Sequence, residues 1–288
     1  MNTVLSTFSE ILEELPALST QHARTTAAYA AREQALAIAV KASPFTRPEG
    51  ARETLGQFGE VELPYYKMGA VDSLDLFGLD EMIIFSFYWA NRTRYRRAAD
   101  IGANLGLHSI LMGKCGWNVK AFEPDPVHAR LLRRNLDLNA STTVELVEAA
   151  VSDQAGQLEF VRVLGNTTSS HLAGAKPNAY GQLERFPVRV EAIATIMPTV
   201  DFVKMDAEGQ EKIIILGTTA EHWRATDMML EVGSPDNARA IHTHLRQLGV
   251  NLFAQKIGWA EVTSLADMPV SYRDGSLFIT RAATMPWA

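Results

Sequence analysis

The sequence predicts an α/β fold: a mostly parallel β-sheet wound in the Rossmann manner, with helices on both faces. Three observations carry that expectation. After residue 96, short apolar segments alternate with stretches of helical periodicity, the pattern of successive βαβ units. The first segment, "RAADI", runs into a turn holding Gly102 and Gly106 before a helical apolar run resumes. The second, "NVKAFEP", carries Glu123 as its next-to-last residue, 21 positions beyond Gly102, which is the reach of one βαβ unit.

Bulk composition bounds the rest. With 288 residues and 47% hydrophobic content the chain can bury a sizeable core, as one large domain or two small ones. A net charge of -6 argues against a grip on phosphate backbones, which depends on clustered Lys and Arg, so no nucleic-acid partner is expected. Arg92, Arg94, Arg96 and Arg97 form a short basic run that reads as a solvated turn. Cys115 is the single cysteine, which excludes an intrachain disulfide and suits a reducing, cytoplasmic setting. "MNTVLSTFSEILEELPALS" has acids within its apolar pattern and no basic n-region, so it does not read as a signal peptide. No apolar run reaches the ~18 residues of a membrane span. "MIIFSFYWA" at 82–90 is too short for one and reads as a core helix.

Along the chain, Leu5, Phe8, Ile11, Leu12 and Leu15 share one helical face, and "ARTTAAYAAREQALAIAV" continues as a second helix after a break near Pro16. These amphipathic helices suit packing between subunits of a homo-oligomer. "KASPFTRPEG" reads as a linker, "GQFGEVELPYYKMG" as a short hairpin and "SLDLFGLDEMIIFSFYWANR" as a loop and helix. The division is therefore 1–50, a helical extension; 51–95, a hairpin and helix preface; and 96–288, the ligand-binding α/β domain. Within the last, the strands are "RAADI", "NVKAFEP", "VELVEAAVS", "VDFVKMDA", "DMMLEVG", "NLFAQKI" and "GSLFITR". Between the third and fourth, "QLEFVRVL" and "FPVRVEAI" flank a polar stretch at 165–182, which reads as an inserted hairpin or flap.

In an open α/β sheet, ligands gather beyond the C-terminal ends of the strands. The glycines of "DIGANLGLHS" let the backbone turn sharply and approach a ligand, and the helix after Gly106 offers unpaired N–H groups. A dinucleotide site uses a similar turn, but with the spacing Gly-x-Gly-x-x-Gly; here Asn104 stands mid-turn and Asp100 precedes it. A carboxylate at position 100 repels a pyrophosphate and attracts the cationic methionine end of S-adenosylmethionine. Glu123 can accept the hydroxyl protons of a ribose, with Pro124 beside it; Asp125 is the natural cap of the helix that opens at Pro126. Glu148, Ala149 and Ala150, at the end of the third strand, can frame and hydrogen-bond an adenine ring; equally, the alanines can be strand residues under a helix.

"DIGANLGLHS", "FEPDP" and "VKMDAEGQE", in that order and spacing, resemble the FkbM-type methyltransferases within the class I S-adenosylmethionine-dependent group. The likeness covers roughly residues 55–282. It implies a seven-stranded sheet whose last strand is antiparallel, and O-methyl transfer, often to sugar or polyketide hydroxyls.

On the acceptor side, Asp206 falls at the tip of the fourth strand and Glu231 at the tip of the fifth. With Glu208 they make an oxygen-rich set in which one carboxylate serves as general base or the group binds a divalent ion. Acids in a first helical turn also serve the helix dipole alone, which is the reading for Glu211 and the equal alternative for Glu208. His171, in the flap, and His108 are further bases. The flap's Asn166, Ser169, Ser170 and Tyr180 suit a polyol such as a saccharide. Tyr65, Tyr66, Phe87, Tyr88 and Trp89 can form either a stacking wall or core. The leading expectation is a methyltransferase acting on a saccharide or other small-molecule hydroxyl, with no metal assigned. An NAD-dependent oxidoreductase and a non-catalytic scaffold are the competing readings.

Overall fold

The computed structural model describes residues 7–175 and 181–287, so Leu5 and Tyr180 lie outside the described residues. The chain opens with α1 (Phe8–Glu14), capped by Thr7 and Glu10, and α2 (Ala27–Ala42), with a 3-10 segment containing Pro16 between them. A small hairpin follows, β1 (Arg52–Thr54) and β2 (Glu60–Glu62), starting a few residues before the expected one. Then comes α3 (Leu79–Ala90), which after Asp80 and Glu81 in its first turn is apolar nearly all round and is buried accordingly.

The α/β part begins with β3 (Arg97–Ile101), α4 (Leu107–Lys114), β4 (Asn118–Phe122) and α5 (Pro126–Leu138). Asp125 caps α5 through Val127 N–H at 2.7 Å, with Pro126 in its first turn. Next are β5 (Val144–Val147), β6 (Ala150–Ser152), β7 (Gly156–Val163), β8 (His171–Leu172), β9 (Leu183–Ala192) and the short α6 (Ile193–Ile196). The chain continues through β10 (Phe202–Met205), α7 (Glu211–Leu216), β11 (Asp227–Glu231), α8 (Pro235–Gln247), β12 (Asn251–Ala254), β13 (Ala260–Glu261) and β14 (Ser276–Thr280).

The main sheet has the order β13-β12-β14-β11-β10-β3-β4-β5. Strands β5, β4, β3, β10 and β11 are parallel, and β14 runs antiparallel between β11 and β12, as the family resemblance implies. One strand is added to the seven expected: β13, two residues long, pairs with the edge of β12. The expected strand "VELVEAAVS" is two strands. Its second half leaves the main sheet at Ala149 and joins a separate four-stranded sheet, order β6-β9-β7-β8, built around the inserted hairpin.

Both faces of the main sheet are buried, and the strands alternate between them. Ala98, Phe202, Met229 and Phe278 belong to one core, shared with α1 through α4; Ala99, Val203, Met228 and Ile279 belong to the other, shared with α6 through α8. Phe8, Ile11 and Leu12 of α1 lie inside the first core, so the apolar face expected to pair subunits is covered by the same chain. Phe87 and Tyr88 are fully buried there as well and form no wall against a ligand. Of the basic run, Arg94 pairs with Asp227 at 3.6 Å and Arg97 with Asp201 at 2.6 Å, while Arg92 lies over the Trp89 ring. Among the described residues no helix is long and apolar enough to cross a membrane.

Candidate functional site

A cavity of about 230 Å³ opens at the C-terminal tips of β3, β4 and β10. Its floor is set by the sheet. Asp206 N–H donates to the Ile101 carbonyl at 2.9 Å, which ties the β10 tip to the β3 tip. The contact is so close that a Cβ on Gly102 would lie 1.8 Å from the Asp206 carbonyl oxygen; with φ +77, this position takes only glycine.

Glu123 is 5% exposed and faces this floor. Its Oε2 accepts from Asn104 N–H at 2.8 Å and its Oε1 from Asp125 N–H at 2.8 Å. Each oxygen keeps a lone pair for a ligand. Burial pushes the carboxyl up to about 8, against the pull of those two N–H groups and helped by the negative Asp125 and Asp100. Asn104, at φ +51, also lines the cavity, and its Oδ1 is buried without a hydrogen-bond partner.

Gly102, Asn104, Glu123, Pro124, Ala149 and Ala150 therefore meet in one cavity, together with Asp206, Glu208 and His171. Asp206 keeps 42% of its side chain exposed, with Lys204 Nζ at 3.9 Å from Oδ2. Glu208 stands in the loop before α7 at φ +50. His171 is 3% exposed and donates through Nδ1 to the Ser169 carbonyl at 2.9 Å. Glu211, read from the sequence as an acid of the first helical turn, is 4% exposed. Its carboxylate folds back onto the loop, accepting from Ala207 N–H at 2.9 Å and Gly209 N–H at 3.0 Å.

Other expected residues lie elsewhere. Glu148 points outward to Arg133 at 2.7 Å, because the chain turns at Ala149 and leaves the preceding side chain on the surface. Gly106 packs on Leu132 of α5 rather than on the cavity. Asp100 is wholly buried beside it: Ser109 Oγ donates to Oδ2 at 2.6 Å, and Oδ1 has no hydrogen bond, with Lys204 Nζ at 3.9 Å. Burial pulls the Lys204 ammonium down, yet Asp206, Asp100, Glu81 and Glu231 outweigh it and hold it above the usual lysine range. Glu231 faces this buried charge row rather than the cavity. Burial, then the negative Asp206 and Glu81, push its carboxyl well above the usual carboxylate range. His108 is held in the same region, with Nε2 2.9 Å from Glu81 Oε2 and Nδ1 2.8 Å from the Tyr88 hydroxyl.

Several lining residues carried no signal in the sequence. Met68, Val71, Asp72, Asp75 and Leu76 arrive from the preface, and Phe160, Thr167, Thr168 and Leu172 from the insert. Arg162 anchors the insert to the α5 cap, donating through Nε to Asp125 Oδ2 at 2.7 Å and through Nη1 to Glu184 at 2.6 Å. Among the described residues, no group of three or more His, Cys, Asp or Glu is arranged to hold a metal ion.

The chain is 29% identical over 196 residues to the methyltransferase sdnD of Sordaria araneosa, a match covering 56% of this chain and 76% of that protein. Two solved structures are similar at low identity. The precorrin-6y C5,15-methyltransferase of Geobacter metallireducens matches at TM-score 0.36 and 15% identity, over 66% of this chain and 82% of that one. A SAM-dependent methyltransferase from Agrobacterium tumefaciens matches at TM-score 0.42 and 8% identity, over 80% and 69%. Residues 100–252, more than half of the sequence and the whole span from Asp100 to β12, match the family model of the methyltransferase FkbM domain, and the chain belongs to that family.

Proposed function

We propose that the cavity holds S-adenosylmethionine and that the protein transfers a methyl group to a hydroxyl of a saccharide or saccharide-bearing metabolite. The observation that carries this reading is the buried Glu123 carboxylate, pinned at the β4 tip with a lone pair of each oxygen open to the cavity. The cavity's residues fit the donor on both sides. Ala149, Ala150, Phe160 and Leu172 supply apolar walls for the adenine, and Glu123 accepts from the ribose hydroxyls. Asn104 Oδ1 offers an unmatched acceptor, and Asp206 and Gly102 face the methionine end. When bound, the donor supplies an electrophilic methyl group on a sulfonium.

The chain's own residues then have two tasks, to place the acceptor oxygen and to take its proton. Asp206 is the base that this geometry favours, being a carboxylate at a strand tip, exposed to the cavity and backed by the Lys204 ammonium. Glu208 and His171 sit within the same lining and can orient the acceptor. Hydroxyls and carboxylates of Asp72, Asp75, Thr168 and Ser170 supply the polar contacts that a polyol needs. Exhaustive chelation is expected to leave turnover unchanged; a loss of activity restored by a divalent ion would assign the carboxylates to a metal instead.

Calorimetry with S-adenosylhomocysteine and NAD tests the reading. Micromolar binding of the first with silence from the second is expected, and binding of neither would favour the non-catalytic scaffold. The affinity should also depend on pH. Ribose hydroxyls donate to the ionised carboxylate, so binding should strengthen as pH rises through about 8 and level off above it. An affinity flat from pH 6 to ~9.5 would remove Glu123 from the ribose.

A further inference from the structure

The cavity's roof forms where two loops distant in sequence meet. Residues 66–72 of the preface and 164–170 of the insert touch at one antiparallel bridge, Gly69 opposite Asn166. Ala70 N–H donates to the Gly165 carbonyl at 3.0 Å, and Thr167 N–H donates to the Met68 carbonyl at 2.9 Å. The Thr167 hydroxyl donates to that same carbonyl at 3.2 Å. With its one proton committed there, Thr167 Oγ1 accepts from His128 Nε2–H at 3.0 Å, which ties α5 into the junction. Met68, Thr167 and His128 all line the cavity beneath.

The approach of the two loops is as close as backbone allows. A Cβ at position 69 would lie 2.2 Å from the Gly165 carbonyl oxygen and 2.7 Å from Asn166 N, at φ +110. Floor and roof are therefore held in different ways. Gly102 and Asp206 are fixed by the register of central strands and cannot shift without disturbing the sheet. The roof is fixed by a few hydrogen bonds between partly exposed loops, the kind of contact that opens locally while the cores stay intact.

We propose that this roof is a latch, with Thr167 as its keystone, and that a nucleoside ligand enters and leaves the cavity by parting the two loops. Opening then limits both association and dissociation, so product release depends on a junction that touches none of the reacting atoms. The inference rests on the reading of the cavity as the S-adenosylmethionine site.

The test is stopped-flow binding of S-adenosylhomocysteine, with hydrogen exchange followed at the Ala70 and Thr167 amides. In the unaltered protein both amides should be protected, and more so with S-adenosylhomocysteine bound. Gly69→Ala should expose both amides and raise the association and dissociation rates about tenfold each, as expected for loss of a small set of hydrogen bonds. Thr167→Val, which keeps shape and N–H but removes the hydroxyl, should raise both rates about threefold, and Thr167→Ser should behave as the unaltered protein. Exposed amides with unchanged rates would overturn the latch. So would amides still protected in Gly69→Ala, or loss of binding in Thr167→Val without faster association, since the roof would then be a binding wall. Absence of binding to the unaltered protein is a separate outcome: it removes the cofactor reading, and with it the latch.

Discussion

Replacing Asp206 with asparagine is expected to lower turnover by about 10²- to 10⁴-fold, the usual contribution of a positioned base, while S-adenosylhomocysteine affinity changes by less than about threefold. An alcohol is a poor nucleophile until its proton leaves in the transition state, so in-line attack on a methyl group needs a proton acceptor beside the attacking oxygen. Asparagine has the same shape and cannot take that proton. The Asp206 N–H bond to Ile101 at 2.9 Å belongs to the backbone and survives the substitution, so the cavity floor stays in place. Lys204 loses one of its two close carboxylates but keeps Asp100 at 3.9 Å, and its burial against α3 is unchanged. Turnover and affinity should therefore separate. A variant that turns over at the original rate would pass the proton to another group, and His171, buried in the same lining, is the next to substitute.

The main sheet was readable in the sequence because its strands are buried on both faces and appear as short, dense apolar runs between helical patterns. The same property hid where one of them ends. "VELVEAAVS" contains no glycine or proline, and nothing in it marks the turn closed by Ala149 N–H on the Val147 carbonyl at 2.8 Å, which sends β6 into the second sheet. That turn also decides Glu148, which alternation would have aimed inward and which instead meets Arg133.

Of the residues proposed to hold the cofactor, those within one βαβ unit were readable as neighbours. The loop after β3 and the tip of β4 are fixed to each other by the register Ile101 opposite Phe122, so the spacing of Asn104 and Glu123 determines their meeting. The acceptor side depends on which face of the sheet a side chain takes. Asp100, Lys204 and Glu231 fall on one face by period-two alternation across β3, β10 and β11, and that face is covered by α3, whereas Asp206, one residue past β10, reaches the cavity. A sequence shows the alternation but not which helices cover each face, so Glu231 was expected in the cavity and lies behind it. The roof was hidden for a different reason. Met68 and Thr167 are about a hundred positions apart, and contacts between loops of that separation leave no periodic trace; the need for glycine at position 69 shows only once Gly165 is seen against it.

Glu123→Ala is expected to weaken S-adenosylhomocysteine binding by ~1–3 kcal/mol, roughly 5- to 150-fold in dissociation constant, through loss of charge-assisted hydrogen bonds to the ribose. The substitution also leaves Asn104 N–H and Asp125 N–H without their acceptor, so a weaker complex alone does not separate a binding role from a structural one. The pH dependence of stability does. A carboxyl raised in the folded state to about 8 favours folding while it is neutral, so its contribution is complete below the unfolded value and is lost as pH rises through about 8. The unaltered protein should therefore lose stability between pH 6 and ~9, and Glu123→Ala, with nothing to ionise there, should lose less over the same interval. Binding to the unaltered protein should run the other way, strengthening over that interval as the carboxylate forms. Opposite slopes for stability and affinity, both reduced in Glu123→Ala, are what a buried acid held charged for a ligand produces. If the slopes are parallel, or persist undiminished in the variant, the group that titrates is not Glu123 and the ribose must be held by another residue of the cavity.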